Sequence, residues 1–150
     1  MRRPCLLVLV DRVRGGKPKL WTWNLGDVGV ATKGNKTAAT TKVSISGNAF
    51  TIAKSSGTLQ GTFVAPAAAR ITQETKEVVM EKGAVPRRIP SIFARGGDDF
   101  FVVVTVQDAN SPAPQVKVEG TGLDAKVTVG GQTIRFDGQK IVLAARGKKE

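Results

Sequence analysis

Trp21 and Trp23 stand two positions apart in the run KLWTWNL, and they are the only tryptophans of the 150-residue chain. In an extended segment, side chains two positions apart project to the same face, so both indoles would share a face with Lys19 and Leu25. Two coplanar rings beside a cation would form a sugar-stacking platform, with the ammonium reading a carboxylate or sulfate. The same rings would equally fill a core, because tryptophan is mostly buried in folded proteins. Both readings stay open at the level of sequence. Trp21, Trp23, Lys19 and Arg12 together make the candidate carbohydrate-binding set. Arg12 beside Asp11 also suits an exposed ion pair, which would add little to stability.

Catalytic chemistry is harder to find. The chain contains no histidine and no tyrosine, which removes the commonest general base near neutral pH and the commonest zinc ligand. A serine or cysteine nucleophile would need an unusual lysine partner, and no such constellation stands out. Asp98 and Asp99 precede a strongly β-forming run and read as a solvated turn. The DAN sequence at 108–110 lacks the acidic spacing, glycine and glutamate of a calcium loop. RGGK and VGGQ lack the lysine and helix start of a phosphate loop. The expectation is a non-enzymatic chain with no catalytic residue, no metal ligand set and no cofactor. The single cysteine, Cys5, excludes an intrachain disulfide and, lying in an apolar run, is expected to be a buried, inert thiol.

The elements that must position these residues read as strands. Seventeen glycines and seven prolines cut the sequence into short apolar runs, which favours an all-β, antiparallel sandwich of roughly ten or more short strands. Residues 6–13 and 19–25 flank the turn RGGKP and are expected to pair as a hairpin. Residues 26–41 are expected to form an exposed loop. KVSISGNAFTIAK carries two alternating runs around Gly47 and Asn48, and GTLQGTFVAP is a strand ended by Pro66. Residues 67–82 allow a helix through Ile71, Thr75, Val78 and Val79, but the threonines and the valine pair tip the reading to strand. Residues 100–106 form the most strongly β-forming run, and their near-continuous apolar character predicts a central strand covered on both faces. QVKVEG, DAKVTVGGQTIRF and QKIVLAA close the chain as three or four strands, with turns at Gly130 and Gly131 and at Asp137 and Gly138. Residues 1–145 are expected to be one sandwich domain, a fragment of a longer chain, and 146–150 a charged, frayed tail.

The chain has 23 basic and 12 acidic residues, a net charge of +11 that invites a polyanionic partner. The basic residues are mostly dispersed, with local clusters at Arg2 and Arg3, Arg87 and Arg88, and Lys148 and Lys149. Dispersal favours a solvated surface. The apolar run that opens the chain ends at Asp11 and Arg12 after six residues, too short for a bilayer span and poorly suited to a signal peptide. No membrane partner is expected.

The order of VLVDRV, a glycine-containing turn, KLWTWNL, GTLQGTFVAP and DDFFVVVTVQDANSPAP resembles the C-terminal β-sandwich region of heparinase II/III-like polysaccharide lyases. That resemblance spans most of the chain, with motifs that mark strand positions more than chemistry. It implies an exported bacterial protein, periplasmic or extracellular, acting on acidic polysaccharide by β-elimination. In that family the catalytic tyrosine and histidine come largely from a helical toroid, and a metal-binding histidine cluster can occur in the sheet region. This chain departs from the pattern in having neither residue type nor a toroid, so no catalytic or metal residue is carried over. The leading expectation is a non-catalytic accessory sandwich that supports a missing toroid domain. An autonomous carbohydrate-binding module for acidic polysaccharide is the alternative. A nucleic-acid-binding β-domain ranks third, because two tryptophans and six phenylalanines supply few rings to interleave with the charge.

Overall fold

A computed structural model describes residues 5–25, 41–78 and 87–145. The first four residues, positions 26–40 of the loop expected at 26–41, residues 79–86 and the tail at 146–150 lie outside the described residues. So do the clusters at Arg2 and Arg3 and at Lys148 and Lys149.

The fold is all-β, as the punctuation of the sequence predicts. Twelve strands are found among the described residues: β1 (Cys5–Arg12), β2 (Trp21–Asn24), β3 (Lys42–Ser46), β4 (Ala49–Lys54), β5 (Gly57–Ala65), β6 (Arg70–Val78), β7 (Arg87–Arg95), β8 (Asp99–Gln107), β9 (Val116–Glu119), β10 (Lys126–Val129), β11 (Gln132–Phe136) and β12 (Ile141–Ala145). They form three antiparallel sheets in the orders β1-β8-β5-β4-β3, β12-β11-β10-β9 and β2-β7-β6. The five-stranded sheet lies between the other two, and its central strand β8 is buried on both faces along Phe100–Val104.

That double burial follows from the alternation of β8. Phe100, Val102 and Val104 enter a core with Trp21, Phe50, Phe63, Ile92 and Ala94, against the three-stranded sheet. Phe101 and Val103 enter a second core with Val64, Ala65, Val127, Val129 and Ile134, against the four-stranded sheet. An apolar run with no polar alternation is what a strand needs when both faces are covered. The expected central strand is therefore found as predicted.

Other predicted elements are also present. β3 and β4 pair around Gly47 and Asn48, with Val43 opposite Ile52 and Ile45 opposite Phe50. The uncertain segment at 67–82 is strand over Arg70–Val78, pairing along its whole length with β7. Gly130 and Gly131, at φ of 55° and 84°, form the two-residue turn between β10 and β11. Left-handed backbone at both turn positions matches the twist of a tight hairpin and suits glycine.

The first hairpin requires correction. β1 pairs with β8 in the five-stranded sheet, whereas β2 pairs with β7 in the three-stranded sheet. The RGGKP turn thus carries the chain from one sheet to another, over a connection whose Val13 amide donates to the Asp98 carbonyl at 3.1 Å. Sequence proximity favours hairpins, but here the backbone edges of β1 and β2 are taken by β8 and β7, in two sheets that face each other across the first core.

One close approach organises the first core. A β-carbon at Gly61 would collide with the Phe50 ring, which lies across β5 at that position. The ring packs in turn against Trp21, Trp23 and Phe63 at centroid distances of 6.1, 6.4 and 6.2 Å. Gly61→Val is expected to lower stability by about 1–3 kcal/mol, the usual cost of overpacking. A urea midpoint equal to that of the parent chain would contradict this account.

Two exposed carboxylates tie down the four-stranded sheet. Asp137 accepts the backbone amides of Lys140 and Gln139 at 2.8 and 2.9 Å, and these bonds hold its pKa below the ordinary value. Glu119 accepts a hydrogen bond from Lys126 Nζ at 2.8 Å, which lowers its pKa, and the nearby charges of Lys126, Arg135 and Lys117 act in the same direction. A carboxylate with a depressed folded pKa adds stability above its unfolded pKa, and that share is lost as pH falls through the folded value. Asp137→Ala is therefore expected to flatten the loss of stability on acidification below pH ~4, measured as urea midpoints across that range.

Candidate functional site

The sheet register builds a row of side chains across all five strands of the central sheet. Val43 faces Ile52, Ile52 faces Leu59, Leu59 faces Val106, and Val106 faces Cys5. These residues come from five separate stretches of sequence. The row sits at the end of the first core, where β8 runs out from under the three-stranded sheet. Trp23 and Leu25 overhang it from β2 and the residue after it. The result is a cleft of about 490 Å³ with an apolar floor of Ile52, Leu59 and Val106. Lys54, Ser56, Asp108 and Ser111 supply polar groups around it. An apolar bed with a few polar groups on its rim is the usual chemistry of a small-ligand site.

The candidate set read from sequence is not brought together here. Trp21 is 7% exposed and its indole meets the Phe63 ring edge-on at 5.0 Å and 83°. Trp23 stacks on Trp21 at 6.1 Å and 28°, is half-buried, and lines the cleft. The two indoles do share a face, but that face looks into the first core, so they form no exposed platform. One ring is enclosed and the other borders the cleft. Lys19 lies two residues ahead of β2, and its ammonium donates to the carbonyls of Gly15 and Lys17 at 2.6 and 2.7 Å. It lines a separate, shallower hollow with Pro18, Leu20, Arg95 and the turn at 96–98. Arg12 donates to the Gly138 carbonyl at 3.3 Å and so ties the end of β1 to the turn between β11 and β12.

Cys5 also differs from expectation. Its thiol belongs to an exposed residue at the cleft margin, because β1 is an edge strand and the three-stranded sheet does not extend over it. Leu7 and Val106, 42% and 39% exposed, continue that uncovered apolar strip on the same face. Among the described residues, no group of three or more histidine, cysteine, aspartate or glutamate side chains is placed to hold a metal ion. No helix among the described residues is long and apolar enough to cross a membrane.

Sequence reasoning missed Lys54, Ser56 and Ser111. Lys54 ends β4, Ser56 precedes β5 and Ser111 lies in the turn after β8; none carries a local signature, and only the register of β4, β5 and β8 collects them. Asp108 drew notice as a fragment of a calcium loop; it instead closes a turn in which the Ser111 amide donates to its carbonyl at 3.0 Å. No protein-family model, curated protein or solved structure matches the chain.

The unequal burial of the two indoles is directly measurable. In Trp23→Phe, the remaining Trp21 emission is expected at shorter wavelength and shielded from acrylamide. In Trp21→Phe, the remaining Trp23 emission is expected to be redder and more strongly quenched. Equal quenching in the two variants would contradict the placement of Trp21 in the core.

Proposed function

We propose that this chain is a non-catalytic β-domain that holds glycan within a polysaccharide-lyase-like protein, with the cleft beneath Trp23 as the sugar site. The observation that carries this reading is a half-buried indole over an apolar floor, with Lys54, Ser56, Asp108 and Ser111 around the same cleft. Aromatic rings pack well on the apolar faces of pyranoses. The ammonium, hydroxyls and carboxylate suit the hydroxyl and acid groups of a sugar. The resemblance of the strand order to the sheet region of polysaccharide lyases points to an acidic glycan as the ligand class, as does the net charge of +11.

A purely structural accessory role is a second reading, favoured by one specific feature. Cys5, Leu7 and Val106 leave an apolar strip uncovered beside the cleft, and another domain seated there would bury it.

The two are separated by titrating the protein with heparin, alginate and dextran while following tryptophan emission. The glycan reading expects saturable binding to an acidic chain. Trp23→Ala should weaken it about tenfold, the factor for ~1.4 kcal/mol of lost stacking. Because Trp23 also packs on Trp21 and Phe50, Lys54→Gln serves as the variant whose folding is not in question, and it should weaken the acidic glycans selectively. A folded protein that binds none of the three would sink the glycan reading.

A further inference from the structure

The four-stranded sheet has one face in the second core and one facing away from it. Val116, Val127, Val129, Ile134 and Ile141 pack into or against the core. Alternation along each strand then places Lys117, Lys126, Thr128, Thr133 and Arg135 on the opposite face. The register sets Lys126 opposite Glu119 and Thr128 opposite both Lys117 and Thr133. Cations therefore occupy three adjacent strands, β9, β10 and β11, a span of roughly 10 Å at ordinary strand spacing. Lys140 follows in the turn after β11, and Arg12 reaches the same turn through the Gly138 carbonyl.

Charge on this face is unevenly neutralised. Glu119 is taken up by Lys126, which donates to it at 2.8 Å. Asp137 is taken up by the backbone amides of residues 139 and 140. Among the described residues, Lys117, Arg135 and Lys140 are exposed and have no carboxylate within ion-pair distance. The register sets Ile134 opposite Val127 and Val127 opposite Val118, so Arg135, Lys126 and Lys117 lie near Glu119, whose pKa is held low first by the Lys126 hydrogen bond and then by the charges around it.

We infer that Lys117 and Arg135 on the outer face of the four-stranded sheet, continued by Lys140 and Arg12 at the turn after β11, form a track that docks the acid groups of a linear acidic polysaccharide. This inference rests on the glycan reading above and extends it to a second surface, on the far side of the central sheet from the Trp23 cleft. Charge complementarity selects a polyanion, and the residue types select which one. The outward residues of these strands are lysine, arginine, threonine, glutamate, valine and alanine, with no aromatic ring on which a nucleobase could stack. Threonine hydroxyls between the cations suit the hydroxyl groups of a sugar chain.

The test compares heparin, dextran and a single-stranded thymidine oligomer against four proteins, by calorimetric titration at low and near-physiological salt. The proteins are the parent chain, the triple variant Lys117→Gln/Arg135→Gln/Lys140→Gln, the control Lys17→Gln/Lys42→Gln/Arg70→Gln with the same change in net charge, and Trp23→Phe. The track expects the first triple variant to bind heparin at least about tenfold more weakly at low salt, with a gap that shrinks as salt screens the exposed charges. The control triple variant should bind within about twofold of the parent. An equal loss in both triple variants would reduce the effect to net charge and overturn the track. Unchanged heparin binding in the first triple variant, with a loss in Trp23→Phe, would overturn the track and leave the cleft reading intact. Oligonucleotide binding as tight as heparin binding, lost in parallel, would overturn the assignment to a glycan. A parent chain that binds neither heparin nor dextran would overturn both readings.

Discussion

β8 is the strand on which the remaining packing depends, because its side chains must satisfy two cores at once. Phe100, Val102 and Val104 project one way and Phe101 and Val103 the other, all 2% exposed or less. Burying each such side chain is worth about 1.5–3 kcal/mol relative to leaving it in water, so neither outer sheet can be removed without exposing a substantial part of the core. The backbone of β8 is paired on both edges, with β1 on one side and β5 on the other. A strand fixed on four sides leaves little freedom to its neighbours. Val106, 39% exposed between the buried Thr105 and Gln107, marks where the three-stranded sheet stops covering β8, and the cleft opens there.

The aromatic cluster around Phe50 links that constraint to the candidate site. Gly61 lets the Phe50 ring lie flat across β5, and the ring supports both indoles from below. Trp21 is consumed by this packing, and Trp23, one turn of the pleat further along β2, is left at the boundary between core and cleft. A residue that closes a core and borders a site is expensive to reposition, which holds the indole in one place without a loop to carry it. The outer face of the three-stranded sheet uses a different device. Phe93, 3% exposed although it points away from the first core, lies beneath Lys76 Nζ at 4.7 Å and the Arg95 guanidinium at 5.6 Å. Long cationic side chains can cover apolar surface with their stems while keeping their charge in water, so part of the chain's high basic content is structural.

The polar and charged surface therefore divides by sheet. On the three-stranded sheet Arg95 is engaged by Glu74 at 3.2 Å and by the Phe93 ring, so its charge is spent locally. On the four-stranded sheet, among the described residues, only Lys126 is engaged in that way, and its neighbours remain available. The same net charge thus has different consequences on different faces, because carboxylates are scarce and unevenly placed.

Local pattern was enough to determine much of this protein. Glycine and proline punctuation with short β-branched runs specifies strands; the unbroken apolar run at 100–106 specifies a doubly buried one; Gly130 and Gly131 specify a tight hairpin. These are short-range properties of backbone and side chain, and they survive without knowledge of partners. What only the tertiary structure decided is which strand pairs with which. The register that sets β1 beside β8 and β2 beside β7 joins residues from about 70 to about 100 positions apart, and nothing in RGGKP distinguishes a hairpin from a crossover between sheets. That pairing buried Trp21, exposed Cys5, turned Lys19 onto its own loop, and gathered Lys54, Ser56, Asp108 and Ser111 around one indole. Burial depends on what the opposite sheet covers, and a strand's sequence records which faces are apolar but not which of them a second sheet will reach.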